Sequence, residues 1–262
     1  MSNMINRKEK KNRCFLLLYA CLFLSFFVLQ LFPQVSEEHI APGVIFQERY
    51  LSEGPWAVQI VTIQREKPGI YLEAVLGTPY ILGIEPLTRI IDRHTYPGHY
   101  PIAGINGDFY ILRIDPFQGD PSGLCIINYE IVSSPNNRSV FAILDDGTPR
   151  LIRNGIISIE GEEEGVSPAF TETRHPRTAI GFNASHIFLV VVDGRQPGYS
   201  VGMSLSELAY LMKELGAVEA LNLDGGGSTT MWVQGKIRNR PSDGFIRPVA
   251  NGLIVVSENK PK

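Results

Sequence analysis

The strongest constraint in this 262-residue chain is a strand–helix–strand run between His186 and Asp224. His186 to Val192 (HIFLVVV) is a continuous apolar run of strand length, and Glu219 to Leu223 is a second strand candidate. Between them Ser204 is followed three residues later by Glu207, a capping-box pattern that opens a helix. Leu205, Leu208, Leu211, Met212 and Leu215 then form one apolar stripe at helical spacing, which Gly216 stops. One amphipathic helix over 204–215 in such a β-α-β unit predicts a right-handed crossover between parallel strands. If the strands are neighbours, their C-terminal ends share one sheet edge, where open sheets place ligands.

Both strands end in Asp-Gly, as Asp193-Gly194 and Asp224-Gly225. Paired carboxylates there suit general acid–base work or a metal, whereas the bland alternative is that each aspartate supports its own turn. After Asp224 the chain reads Gly225, Gly226, Gly227, Ser228, Thr229. Three glycines permit a left-handed backbone and close approach of a ligand, and successive amides can form an anion-binding concavity. Asp108, in Asn106-Gly107-Asp108-Phe109-Tyr110, is a third carboxylate past the strand candidate PIAGIN, with aromatics suited to a sugar-ring platform. Arg174, His175 and Arg177 precede another apolar strand, and Arg195 and Arg247 are further cations of the same kind. Guanidinium forks match phosphate or carboxylate, although surface ion pairs are the plain alternative.

Charge divides the chain. Residues 1–13 hold five basic residues and Glu9, leaving nineteen basic against twenty-six acidic residues in the remainder. An acidic body without a basic stripe argues against nucleic acid as a partner. Residues 14–33 are uncharged and long enough to span a bilayer, and the basic run before them predicts a cytoplasmic N-terminus. The expected layout is a basic tail at 1–13, a signal-anchor helix at 14–33, a linker at 34–43 and one domain at 44–262 outside the cytoplasmic membrane; a cleaved signal peptide is the rival. Cys14 and Cys21 fall in the membrane segment, so Cys125 has no disulfide partner in the body.

The body reads as α+β, a mixed β-rich sheet with one strong helix. Strand patterns run over 44–50, 56–63, 70–76, 124–132, 139–144 and 151–159, with a short helix near 86–92 and a solvated acidic loop at 161–165. No phosphate loop, nucleophile-elbow serine, His-Glu-x-x-His or Cys-x-x-Cys occurs, and the five histidines lack ligand spacing. No metal or other cofactor is expected, although an aspartate-rich edge has the chemistry for Ca²⁺.

INGDFY at 105–110, RHPRTAIGF at 174–182, LDGGGSTTM at 223–231, NRPSDG at 239–244 and RPVANG at 247–252 together resemble the phosphodiester glycosidase family. His175 stands where that family usually has Asn, and the resemblance covers about residues 95–257. It implies hydrolysis of a sugar-1-phosphodiester of the N-acetylglucosamine-1-phosphate type, on cell-surface glycans or exopolysaccharide of a bacterium. It also implies Asp224, Asp108 and Arg177 as catalytic groups. Substrate contacts are then expected from Asn106, Gly107, Arg174, Asp193, Arg195, Gly225, Gly226, Gly227, Ser228, Thr229, Arg247 and Asn251. The alternatives are a non-catalytic phosphoglycan-binding module and a glycosyl or phosphoglycosyl transferase. Oligomeric state is not legible in the sequence.

Overall fold

The computed structural model describes residues 34–80, 82–113, 116–127, 130–134, 139–143, 149–150 and 167–260. The membrane segment at 14–33, the strand pattern at 151–159 and the acidic loop at 161–165 lie outside them. No helix among the described residues is long and apolar enough to cross a membrane.

The strands in chain order are β1 (Gln34–Ala41), β2 (Val44–Leu51), β3 (Trp56–Gln64), β4 (Ile70–Leu76), β5 (Tyr100–Asn106), β6 (Cys125–Ile127), β7 (Glu130–Ser133), β8 (Ala142–Ile143), β9 (Pro149–Arg150), β10 (Arg177–Phe182), β11 (His186–Val192), β12 (Glu219–Asn222), β13 (Met231–Val233), β14 (Lys236–Ile237) and β15 (Asn251–Ser257). The helices are α1 (Leu87–Arg93), α2 (Pro168–Glu172) and α3 (Leu205–Glu214). One sheet runs β1-β2-β3-β11-β10-β12 and the other β14-β13-β5-β15-β4; β6-β7 and β8-β9 are small ribbons.

The sheets stack face to face. Val61, Ile63, Ile180, Leu189 and Val191 of the first meet Ala103, Ile105, Met231, Val233 and Val255 of the second in one core cluster. Alternate residues of the same strands, among them Val58, Ile60, Val190 and Val192, point outward and are covered by Leu208, Leu211 and Met212 of α3. This double cover explains why HIFLVVV is apolar throughout rather than alternating. On the far side, Leu87, Ile90 and Ile91 of α1 cover Val75, Ile254 and Val256 of the second sheet. The result is four layers: helix, sheet, sheet, helix.

Three sequence expectations change. Both sheets pair only antiparallel strands among the described residues, so the sheet is neither single nor mixed. The two strands joined through α3 do run parallel, but β10 lies between them and pairs with both. Only three residues separate β10 from β11, which forces a hairpin and leaves the far side of β10 for β12. Residues 34–43 are not a linker either: β1 pairs with β2 as the outer strand of its sheet, with exposed Glu37 and Glu38 on that edge. The two small ribbons pair β6 with β7 and β8 with β9.

One end of the sandwich collects the ends of β5, β11 and β12 and the starts of β10 and β15. There the Asp224–Thr230 stretch passes from β12 in one sheet to β13 in the other. Asn106, fully buried, bolts the passage in place. Its Nδ2 donates to the Asp224 carbonyl at 2.7 Å, and its Oδ1 accepts from Thr178 Oγ1 at 2.8 Å and the Thr230 amide at 3.0 Å. Replacing Asn106 with Leu leaves those groups buried without that partner. The expected loss is about 3–5 kcal/mol in urea unfolding, with an unchanged m-value.

Candidate active site

The glycine run owes its composition to its neighbours. A Cβ on Gly225 would stand 2.6 Å from the Pro176 carbonyl oxygen. Gly226 has φ +61° and its Cβ position lies 3.1 Å from an Arg195 guanidinium nitrogen. A Cβ on Gly227 would collide with Arg247 and Asp243. The run therefore threads between guanidinium groups on two sides, directly after Asp224. Asp224 itself is half-buried, and its amide donates to the Gly107 carbonyl at 3.1 Å.

The amides of the run are largely engaged within the protein. Gly226 N donates to the Pro176 carbonyl, Ser228 N to Gly225, Thr229 N to Gly226, and Thr230 N to Asn106 Oδ1. The amide cradle expected from sequence is thus mostly closed, and the cations beside the run are the guanidinium groups of Arg195 and Arg247. Ser228 and Thr229 are fully buried under the turn. Arg247 holds Asp243 at 2.7 Å and reaches Ser228 Oγ at 3.4 Å. Tyr110 donates its hydroxyl to the Pro248 carbonyl at 2.7 Å. Burial, followed by the Asp224 charge, raises the Tyr110 pKa, while Ser228 and Arg247 oppose the rise.

Arg195 sits in the left-handed region at φ +59°, exposed, 3.4 Å from His175 Nδ1. Arg177 is fully buried and donates to the carbonyls of Met203, Phe170 and Thr173 at 2.8 to 3.0 Å, with its guanidinium 4.7 Å from the Phe170 ring centroid. Its Nη1 is buried with no hydrogen-bond partner among the described residues. Burial, then the Arg195 charge, lowers its pKa to about 10. Phe170 packs edge-on to Phe109 at 5.9 Å, extending an aromatic wall toward Asp108. Asp108 N donates to Asn251 Oδ1 at 2.8 Å, and a Cβ on Gly107 would overlap that same oxygen.

Two candidates from the sequence stand apart from this cluster. Asp193 is 1 % exposed, and its carboxylate accepts from Tyr199 Oη, Asn239 Nδ2 and the Arg240 amide at 2.9 to 3.1 Å. It anchors the segment leading to Asp243 and Arg247 from behind, and burial raises its pKa despite those donors. Arg174 is exposed and forms a fork with Glu207 of α3, with Nε at 3.1 Å from each carboxylate oxygen. Asp243 and Phe170 join the site without having been singled out from sequence. The four-residue spacing of Asp243 to Arg247 was the available signal for the first. No group of three or more His, Cys, Asp or Glu side chains among the described residues is placed to hold a metal.

His175 reports on this charge. Burial, then Arg177 and Arg195, hold its pKa below 6.5. The unfolded chain therefore takes up this proton more readily, so the stability that depends on neutral His175 is complete above about pH 6.5 and declines as pH falls toward the lowered folded value. In urea titrations across that range, His175→Asn should flatten the pH dependence. By NMR, inorganic phosphate should raise the His175 midpoint as an anion offsets the guanidinium charges; an unmoved midpoint would rule out phosphate there.

A family model described as phosphodiester glycosidase matches residues 115–256. The mouse N-acetylglucosamine-1-phosphodiester alpha-N-acetylglucosaminidase is 34% identical over 113 residues, covering 39% of this chain and 22% of that protein. The SPbeta prophage-derived uncharacterized protein YomE of Bacillus subtilis (strain 168) is 37% identical over 161 residues, 60% of this chain and 23% of that one. The chain thus spans about a fifth of the length of these curated relatives. In structure it is similar to the catalytic domain of the zebrafish N-acetylglucosamine-1-phosphodiester alpha-N-acetylglucosaminidase, with a TM-score of 0.62 at 19% identity over 85% of this chain and 87% of that one. The match spans more than half of the chain and takes in the glycine run, both flanking arginines and Asn251, so this protein belongs to the phosphodiester glycosidase family.

Proposed function

We propose that this protein hydrolyses the glycosidic bond of a sugar-1-phosphodiester, releasing the free sugar and leaving a phosphomonoester. The observation that carries this reading is the placement of Arg195 and Arg247 against Gly226 and Gly227, immediately after Asp224. Cleavage of a bond between C1 and a phosphate oxygen develops negative charge on the departing phosphate and positive charge on the sugar carbon. A phosphate is a good leaving group, so fixed cations matter more than a strong general acid. Arg195 and Arg247 supply them, with buried Arg177 adding positive charge behind.

Asp224 is assigned to the anomeric carbon, as nucleophile or as base for the attacking water. Asp108 and Asn251 are assigned to sugar hydroxyls, with Phe109 and Phe170 as the aromatic wall. The substrate class is an N-acetylglucosamine-1-phosphate-type diester of a surface glycan or exopolysaccharide, met outside the cytoplasmic membrane by a body held on its N-terminal helix. That membrane placement rests on the charge-free run at 14–33 and on the basic run at 1–13 before it.

With a synthetic N-acetylglucosamine-α-1-phosphodiester, release of free sugar is expected. Asp224→Asn should lower kcat by about 1,000-fold without changing the unfolding midpoint, and Arg195→Ala should lower kcat more than it raises KM. Full hydrolysis by Asp224→Asn would remove that residue from the chemistry. Binding without release would mark a phosphoglycan-binding module instead.

A further inference from the structure

The core between the sheets is not filled to its edge. Beside β12 and β4 a cavity of about 460 Å³ opens among Leu72, Ala74, Phe141, Leu221, Leu223 and Leu253. Packed interiors hold few voids larger than a water molecule, whereas ligand pockets run from about 300 to 1,000 Å³. Its lining is mainly aliphatic; Glu73 also borders it, but that carboxylate is held by His99 at 2.8 Å. The cavity is continuous with the candidate site, because Gly107, Asp108 and Asn251 form part of its wall.

Direction follows from chain order around Asp224. On one side the glycine run leads to Arg195 and Arg247; on the other, the Asp224 amide bonds the Gly107 carbonyl and Asp108 follows. A substrate with its phosphate at the arginines and C1 at Asp224 therefore extends its sugar, rather than its aglycone, toward the cavity mouth. We propose that this chamber receives an apolar acyl substituent on the substrate sugar, one longer than acetyl. The polar wall at Asp108 and Asn251 suits the linking amide, and the aliphatic interior suits the tail. An acetyl group fills only a small part of the volume. This proposal rests on the hydrolase reading for its orientation.

The test uses the full-length protein and two non-hydrolysable phosphonate analogues of glucosamine-1-phosphodiester, one N-acetylated and one N-hexanoylated, titrated calorimetrically. The hexanoyl analogue should bind about 200-fold more tightly, given the gain expected for four further buried methylenes. Ala142→Trp, which narrows the chamber wall, should abolish that difference and leave the acetyl analogue within about threefold of its original affinity. Leu72→Phe is a milder plug should the tryptophan fail to fold, and should reduce the preference in the same direction. Equal affinity for the two analogues, binding of neither, or a preference untouched by both plugs would overturn the proposal. Turnover of the N-acetyl and N-hexanoyl diesters is read separately. Hexanoyl preference without turnover sustains the chamber and removes the hydrolase reading; turnover without preference does the reverse.

Discussion

The site depends first on one buried side chain amide. Asn106 ends a strand of the second sheet, yet it bonds Thr178 and the Asp224 carbonyl, which belong to or follow strands of the first. A buried amide has a fixed number of donors and acceptors, and leaving them unmet costs more than any single bond contributes. The two sheets can therefore meet at this end in only one register. Asp224, the glycine run and Gly107 inherit their positions from that register, which is why the Asp224 carboxylate can stand on an otherwise irregular turn.

Electrostatics act on top of this frame. The protein as a whole is slightly acidic, but Arg177, Arg195 and Arg247 converge on a few residues at one end. Arg177 is the costliest of them, a buried guanidinium hydrogen-bonded to carbonyls and stacked on Phe170. Burial penalises its charge, and Arg195 adds repulsion. Groups arranged against their own comfort in this way are characteristic of sites that await an opposite charge. Asp193 plays the complementary part behind the loop, tying Asn239 and Arg240 so that Asp243 and Arg247 arrive where the glycines leave room.

Much of this was legible in the sequence because it is local. The capping box and stripe of α3 are carried by contiguous residues, and the observed helix starts just after Ser204, with the reciprocal bonds in place. The strand patterns over 44–50, 56–63 and 70–76 recur as β2, β3 and β4 with ends shifted by at most one residue. What the sequence hid is non-local. A hairpin inserts β10 between two strands that local pattern alone pairs as neighbours. Gln34 to Ala41 carries charges and a histidine, and contacts from distant residues hold it as an edge strand: Arg238 reaches Glu38, Gln234 donates to the Ile40 carbonyl, and the Ile40 side chain joins the core. The three glycines have a reason the sequence does not carry: their bareness accommodates arginines and a carbonyl more than it frees amides.

The passage of the Asp224–Thr230 stretch from one sheet to the other has a mechanical consequence. Arg195 belongs to a loop of the first sheet, whereas Asp108 and Arg247 adjoin strands of the second. A molecule touching all three acts as a rivet through both layers. Parting the layers would mean letting go of it, so occupancy and the cohesion of the whole fold are coupled, and the grip tightens most against the motion by which the sandwich would come apart.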